Sequence, residues 1–286
     1  MKLPPPYIGG NLPDLELGIK REWLKMVGRA DGLLERIKLQ TPKNPLDLAT
    51  PAVKLIPLPF PSLLPILPRD RFGLDHDNNW NYMAREKFEE LLETVDEPPE
   101  SPDAGIWFYG TPGYGKSHIL AALVCYLLSA GSQVIYIPDC QTFLGDPVEY
   151  VRAAMLLAWA GDIALQIQIM GLKTKADISR FFKDRAATGC WVIFVIDQIN
   201  ALENSRPAHT IQPQLTAGSA HIVEGESLES WLYKCSLQHM TVVGLSSSNT
   251  SHLSLQQQNQ RKYFRVNCYG GLSEVGGILD RYFGFC

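Results

Sequence analysis

The segment Gly110-Thr-Pro-Gly-Tyr-Gly-Lys-Ser117 gathers three glycines, a lysine and a closing serine into eight positions. Its spacing, GxxxxGK[ST], is that of a loop which wraps phosphate. Gly110, Gly113 and Gly115 permit backbone angles and a close approach that a Cβ would block. The loop amides, with the positive end of a following helix, can then point at phosphate oxygens. Lys116 would set its ammonium beside the β- and γ-phosphates, and Ser117 would offer its hydroxyl to Mg²⁺. Gly110, Thr111, Pro112, Gly113, Tyr114, Gly115, Lys116 and Ser117 are therefore the candidate nucleotide-binding set. The bland alternative is a glycine-rich turn that merely joins a strand to a helix. The complete pattern, with an apolar strand before it and an apolar helix after it, favours phosphate.

A phosphate-bound Mg²⁺ needs a second protein ligand, and the run Trp191-Val-Ile-Phe-Val-Ile-Asp197 supplies a carboxylate at the end of an apolar strand. A buried, unpaired acid is costly, so metal and hydroxyl partners make physical sense of Asp197. Gln198 follows it, where many ATPases of this architecture carry a glutamate base. A glutamine orients water without accepting its proton, so ATP binding is better supported than rapid turnover. Glu203 is an outside candidate base, and an exposed loop acid explains it more simply. After the fourth strand, Ser248 and Asn249 stand where a side chain could sense the γ-phosphate; the same residue types serve equally as a helix cap ahead of residues 250–260. Arg261 and Arg265 could touch phosphate or be solvated. The whole reading requires the glycine loop to face Asp197 across a crevice not filled by the chain's own side chains.

The elements that must position these groups alternate. Strands are expected at 104–110, 133–139, 191–197, 239–248 and 262–270, a buried helix at 116–131, and helices over 147–187. Such alternation predicts an α/β fold with a parallel sheet between helices, a three-layer αβα sandwich. The stretch 203–230 is polar and reads as a long loop. Upstream, apolar spacing predicts a helix over 80–95 through Tyr82, Phe88, Leu91, Leu92 and Val95, and another over 14–39, broken near Gly28 and Gly32. Twelve of the 20 prolines lie in residues 1–70, and the run from Leu55 to Pro68 excludes a helix or a central strand. It reads as an extended strap on the following domain, or else as a docking segment for a protein partner. The expected division is a Pro-rich N-terminal extension, 1–79, and a P-loop NTPase domain, 80–286.

Composition narrows the classes further. The chain has 286 residues, is 45% hydrophobic and carries a formal charge of −4, which gives no whole-chain reason to bind nucleic acid. No apolar run approaches the roughly 20 residues that span a bilayer, and no secretory signal is visible. The six cysteines are scattered without a CxxC pair, so reduced thiols in the cytoplasm or nucleus are the default expectation. Thr174-Lys-Ala-Asp177 imitates a guanine-reading motif but precedes the Asp197 strand; a helix cap explains it better. No Ser-His-Asp, Cys-His or histidine–metal arrangement can be assigned from order alone.

Three stretches, FYGTPGYGKSHILAALVCYLLSAGSQVIYIPDC (108–140), FVIDQINALE (194–203) and LSSSN (245–249) followed by YFRVNCYGGLSEV (263–275), together resemble the NTPase domain of the Crinkler-type effector family, including the related retrotransposon-hot-spot proteins. The resemblance implies an AAA+ or STAND-like ATPase with strand order 5-1-4-3-2, in which Gly110 to Ser117 bind ATP, Ser117 and Asp197 bind Mg²⁺, Gln198 positions water, and Asn249 is sensor-like. Lys116, Asp197, Gln198 and Asn249 are then the candidate catalytic residues. The family's helical lid and variable carboxy-terminal domain are not expected within the chain. A helicase-loader or transposition-helper ATPase bound to DNA shares the loop–helix text and is the second reading, with a degenerate interaction protein as the third.

Overall fold

In the computed structural model, which describes residues 17–51, 55–65, 69–97, 105–111, 113–202, 227–244 and 263–268, the first long element is α1 (Leu17–Gln40), followed by α2 (Leu46–Ala49). Helix α1 runs unbroken through Gly28 and Gly32, correcting the expected interruption. A helical glycine costs only about 1 kcal/mol relative to alanine. Burial of Ala30, Leu34 and Ile37 along one face of α1 offsets that loss.

The proline-rich run contributes β1 (Ile56–Pro59), which pairs antiparallel with β2 (Asn79–Tyr82) in a two-stranded sheet. In so small a sheet every strand is an edge, so Pro57 and Pro59 can sit in β1 although they lack a donor. Leu58, Phe60 and Leu63 are buried in the same apolar cluster as the rest of the chain's core. Strand β2 corrects the expectation of a helix from residue 80. Asn79 and Asn81 alternate with the buried Trp80 and Tyr82, a period of two that the spacing of more distant apolar residues had masked. The helix begins later, as α3 (Lys87–Asp96), and buries Phe88, Leu91, Leu92 and Val95.

The second half of the chain is α/β. Its order is β3 (Gly105–Gly110), α4 (Lys116–Ser129), β4 (Val134–Ile137), α5 (Cys140–Phe143), α6 (Pro147–Ala158), α7 (Ile163–Met170), α8 (Lys175–Ala187), β5 (Ile193–Ile196), α9 (Leu228–Cys235), β6 (Met240–Gly244) and β7 (Tyr263–Cys268). The five strands form one sheet in the order β4-β5-β6-β3-β7, and every pairing in it is parallel. With helices packed on it, the sheet is compatible with a three-layer αβα sandwich. Strands β4 and β6 are buried at every position, as expected where both faces are covered. Residues Ile119 to Cys125 of α4 are wholly buried. Helix α9 opens inside the stretch expected to be loop, capped by Ser227, whose side chain accepts from the Ser230 amide. Among the described residues no helix is long and apolar enough to cross a membrane.

Local chemistry explains the starts of the connecting helices. Thr174 and Asp177 form a reciprocal capping box at α8, the role expected for that imitation of a guanine-reading motif. Asp146 caps α6 with Pro147 in its first turn. One continuous apolar cluster links α1, β1, the turn Arg69–Phe72, β2 and α3 to the sheet and α4. That shared core carries the segment around residue 71 to the carboxyl ends of β4 and β5.

Candidate functional site

The carboxyl end of β3 passes directly into the glycine loop, and the loop opens α4 at Lys116. Its three glycines all take positive φ: +142° at Gly110, +80° at Gly113 and +90° at Gly115. Gly110 is under the tightest constraint. A Cβ there would lie 2.3 Å from the backbone oxygen of Cys268 in the neighbouring β7. That oxygen accepts from the Thr111 amide at 3.1 Å, so the loop is tied to the sheet where it leaves β3. Pro112 lies outside the described residues, as do Glu203, Ser248, Asn249 and Arg261. Arg265 is exposed on β7.

Lys116 is buried and bends back along the loop, its Nζ donating to the carbonyl oxygens of Gly110 at 2.9 Å and Thr111 at 2.8 Å. Burial lowers its pKa, countered in part by the neighbouring Cys268 and Asp197. Tyr114 stacks beside Arg85, whose guanidinium carbon is 5.9 Å from the ring centroid. The same guanidinium stands 3.4 Å from where a Cβ on Gly115 would be.

Asp197 follows the last residue of β5 and is 1% exposed. Its amide donates to the Ile137 oxygen at 2.8 Å, aligning the ends of β4 and β5. The structure brings Asp197 and Ser117 together, and does so through a residue that the sequence does not single out. Arg71, from the turn between β1 and β2, directs Nη2 at the Ser117 Oγ, 2.5 Å away, and at the Asp197 Oδ2, with which it forms a salt bridge. Its Nη1 donates to the Pro138 oxygen at 2.8 Å. Burial raises the Asp197 pKa, while Arg71, the Ser117 hydroxyl and the Gln198 amide all pull it back down. The expectation of a crevice clear of the chain's own side chains is thus corrected: a guanidinium stands between the two candidate metal ligands. No local signal marks Arg71, because its partners lie 46 and 126 residues further along the chain.

Gln198 adopts a left-handed backbone, φ +60°, and its own amide donates to Asp197 Oδ1 at 2.9 Å. The neighbours of its side chain fix the amide orientation. Nε2 donates to Asp139 Oδ1 at 3.2 Å and Oε1 accepts from both Nη groups of Arg71 at 3.2 Å. Asp139 is a second buried acid that the sequence reading did not select. It caps α5 through the Gln141 amide at 2.9 Å and accepts from the Thr142 hydroxyl at 2.5 Å. Its place, two residues beyond β4 and before α5, is a signal that could have found it.

Ser117 is followed by His118, whose ring packs 4.8 Å from Phe72 and 5.3 Å from Trp80. Burial, with Arg71 and Arg85 nearby, lowers its pKa to about 4, so it is neutral at physiological pH. Among the described residues no group of three or more His, Cys, Asp or Glu side chains could hold a metal ion by itself. Comparison with protein-family models finds no match to this chain, and comparison with curated proteins finds none either.

Proposed function

We propose that the chain is an ATP-binding P-loop NTPase that works as a slow Mg²⁺-dependent ATPase or a nucleotide-gated switch. The observation that carries this reading is the meeting of Ser117 and Asp197 on one cationic nitrogen beside the loop of positive-φ glycines. Two hard oxygen donors converging on a positive charge are what Mg²⁺ needs from a protein when phosphate and water supply its other ligands. The guanidinium nitrogen of Arg71 fills that place, so the reading, which requires a clear crevice, holds only for a state in which Arg71 has moved aside. Counted from β3, the sheet order is 5-1-4-3-2, which supports the AAA+ or STAND-like character implied by the Crinkler-type resemblance.

In this reading the loop amides and the first turn of α4 bind the phosphate chain. Lys116 exchanges the carbonyls of Gly110 and Thr111 for β- and γ-phosphate oxygens. Ser117 and Asp197 hold Mg²⁺, which supplies charge neutralisation between those phosphates. Gln198 lies beside the metal ligands and orients water, but it cannot take up a proton. Both ends of its side chain are also engaged, by Asp139 and Arg71. Slow turnover follows from both facts.

Isothermal titration with ATP, ADP and GTP, with and without Mg²⁺, tests the binding. Mg·ATP at about 100 times Kd should stabilise the fold by roughly 2.7 kcal/mol, and Lys116→Ala should abolish that stabilisation. Stabilisation that survives the substitution would place the nucleotide elsewhere.

A further inference from the structure

The two Nη nitrogens of an arginine carry four of its five N–H donors, and those of Arg71 are directed at protein acceptors: Ser117, Asp197, Pro138 and Gln198. These acceptors come from the first turn of α4 and from the segments that follow β4 and β5. The Arg71 side chain is only 12% exposed. The next residue anchors the turn that carries it, because Phe72 is buried and its ring packs 4.8 Å from Phe60, 5.6 Å from Trp80 and 4.8 Å from His118. One short turn between β1 and β2 therefore grips the candidate metal ligands with one side chain and the neighbour of Ser117 with the next.

We propose that Arg71 is a resident counter-cation, a latch that occupies the Mg²⁺ position and must leave it before Mg·nucleotide can bind. The proposal rests on the nucleotide-binding reading above and adds a regulatory residue to that site. Two cations cannot share the Ser117 Oγ and Asp197 Oδ2 in the same positions, so latch and metal exclude one another. In the latched state neither Nη group is free to reach phosphate, because each is committed to protein oxygens. While closed, the latch neutralises a buried carboxylate that would otherwise stand alone.

A closed latch lowers apparent affinity by the fraction of molecules that are open. With an open state populated at a few per cent, removal of the guanidinium should tighten Mg·ATP binding by about 10-fold or more. The whole chain, Arg71→Gln and Lys116→Ala are titrated in parallel with a fluorescent ATP analogue and Mg²⁺. Arg71→Gln should tighten binding and Lys116→Ala should weaken it. A second readout uses the unaltered protein and does not depend on the folding of any variant. Trypsin must take the Arg71 side chain into its own pocket, so Mg·ATP should accelerate cleavage after Arg71, scored by mass spectrometry, whereas ATP with EDTA should not. Unchanged or weaker binding in Arg71→Gln, or protection of the Arg71 bond by Mg·ATP, would overturn the latch. If the unaltered protein binds and Lys116→Ala does not, such a result overturns the latch alone. If neither the unaltered protein nor Arg71→Gln binds the analogue, the nucleotide reading falls with it.

Discussion

Replacing Arg71 with methionine keeps most of the side-chain volume and removes the charge that faces Asp197. Asp197 is 1% exposed and would retain, of its charge-stabilising partners, the Gln198 amide on Oδ1 and the Ser117 hydroxyl nearby. Breaking a buried ion pair by deleting one partner costs about 3–5 kcal/mol, and here the cost must depend on pH. Burial already holds the Asp197 pKa above its ordinary value, even with Arg71 in place, and loss of the guanidinium drives it higher. For an acid whose folded pKa is raised, the folded state keeps a proton that the unfolded chain has lost. The stability penalty is therefore absent below the unfolded value and grows as pH rises toward the folded one, by at most about 1.4 kcal/mol per pH unit. Urea unfolding of Arg71→Met and the unaltered protein, followed by far-ultraviolet circular dichroism, should show a deficit of about 3–5 kcal/mol at pH 8 that shrinks toward pH 4.5. Taking the difference at each pH cancels the titrations the two proteins share. Adding Asp197→Asn to Arg71→Met should flatten the pH dependence, because the group that titrates is gone. A deficit that is equal at both pH values, or below about 0.5 kcal/mol, would refute the view that Asp197 depends on Arg71 for its charge.

Other substitutions probe the loop and its surroundings. Gly110→Ala should cost about 3 kcal/mol or more in urea unfolding, because its Cβ would meet the Cys268 backbone at 2.3 Å. Gly113→Ala, with positive φ but nothing within 4 Å of its Cβ, should cost about 1–2 kcal/mol. Gln198→Glu should not speed phosphate release. It sets a second carboxylate 3.2 Å from Asp139, and the resulting loss of about 1–3 kcal/mol in stability should diminish as pH falls and one acid binds a proton; faster turnover at pH 7 would count against this geometry. Thr174→Ala removes half of the α8 capping box and should lower stability by about 1 kcal/mol without altering ATP affinity measured by titration.

Much of the αβ unit was legible because its signals are local. The segment WFY of β3, the VIYI of β4 and the IFVI of β5 are apolar at every position, as strands covered on both faces must be. The glycine spacing of 110–115 dictates positive φ wherever the chain folds back, and Thr174 with Asp177 encodes a helix start within four residues. Short-range alternation was easier to miss. Trp80 and Tyr82 belong to a period-two strand, yet Tyr82 could be fitted to a helical pattern with Phe88 and Leu91 until β1 appeared beside it.

By itself the sequence determined a glycine-rich loop between a strand and a helix, an acid at the end of a buried strand and the alternation that makes a parallel sheet. Tertiary structure alone decided which charge faces that acid. Arg71 and Asp197 are 126 residues apart, and the energy that joins them arises only when burial removes water from both and leaves each as the other's compensation. Such a pairing has no periodicity and no motif to announce it. It exists because β1, β2 and Phe72 pack into the same core as the sheet, which brings an otherwise ordinary arginine to the pair of oxygens that the loop and the strand had already set in place.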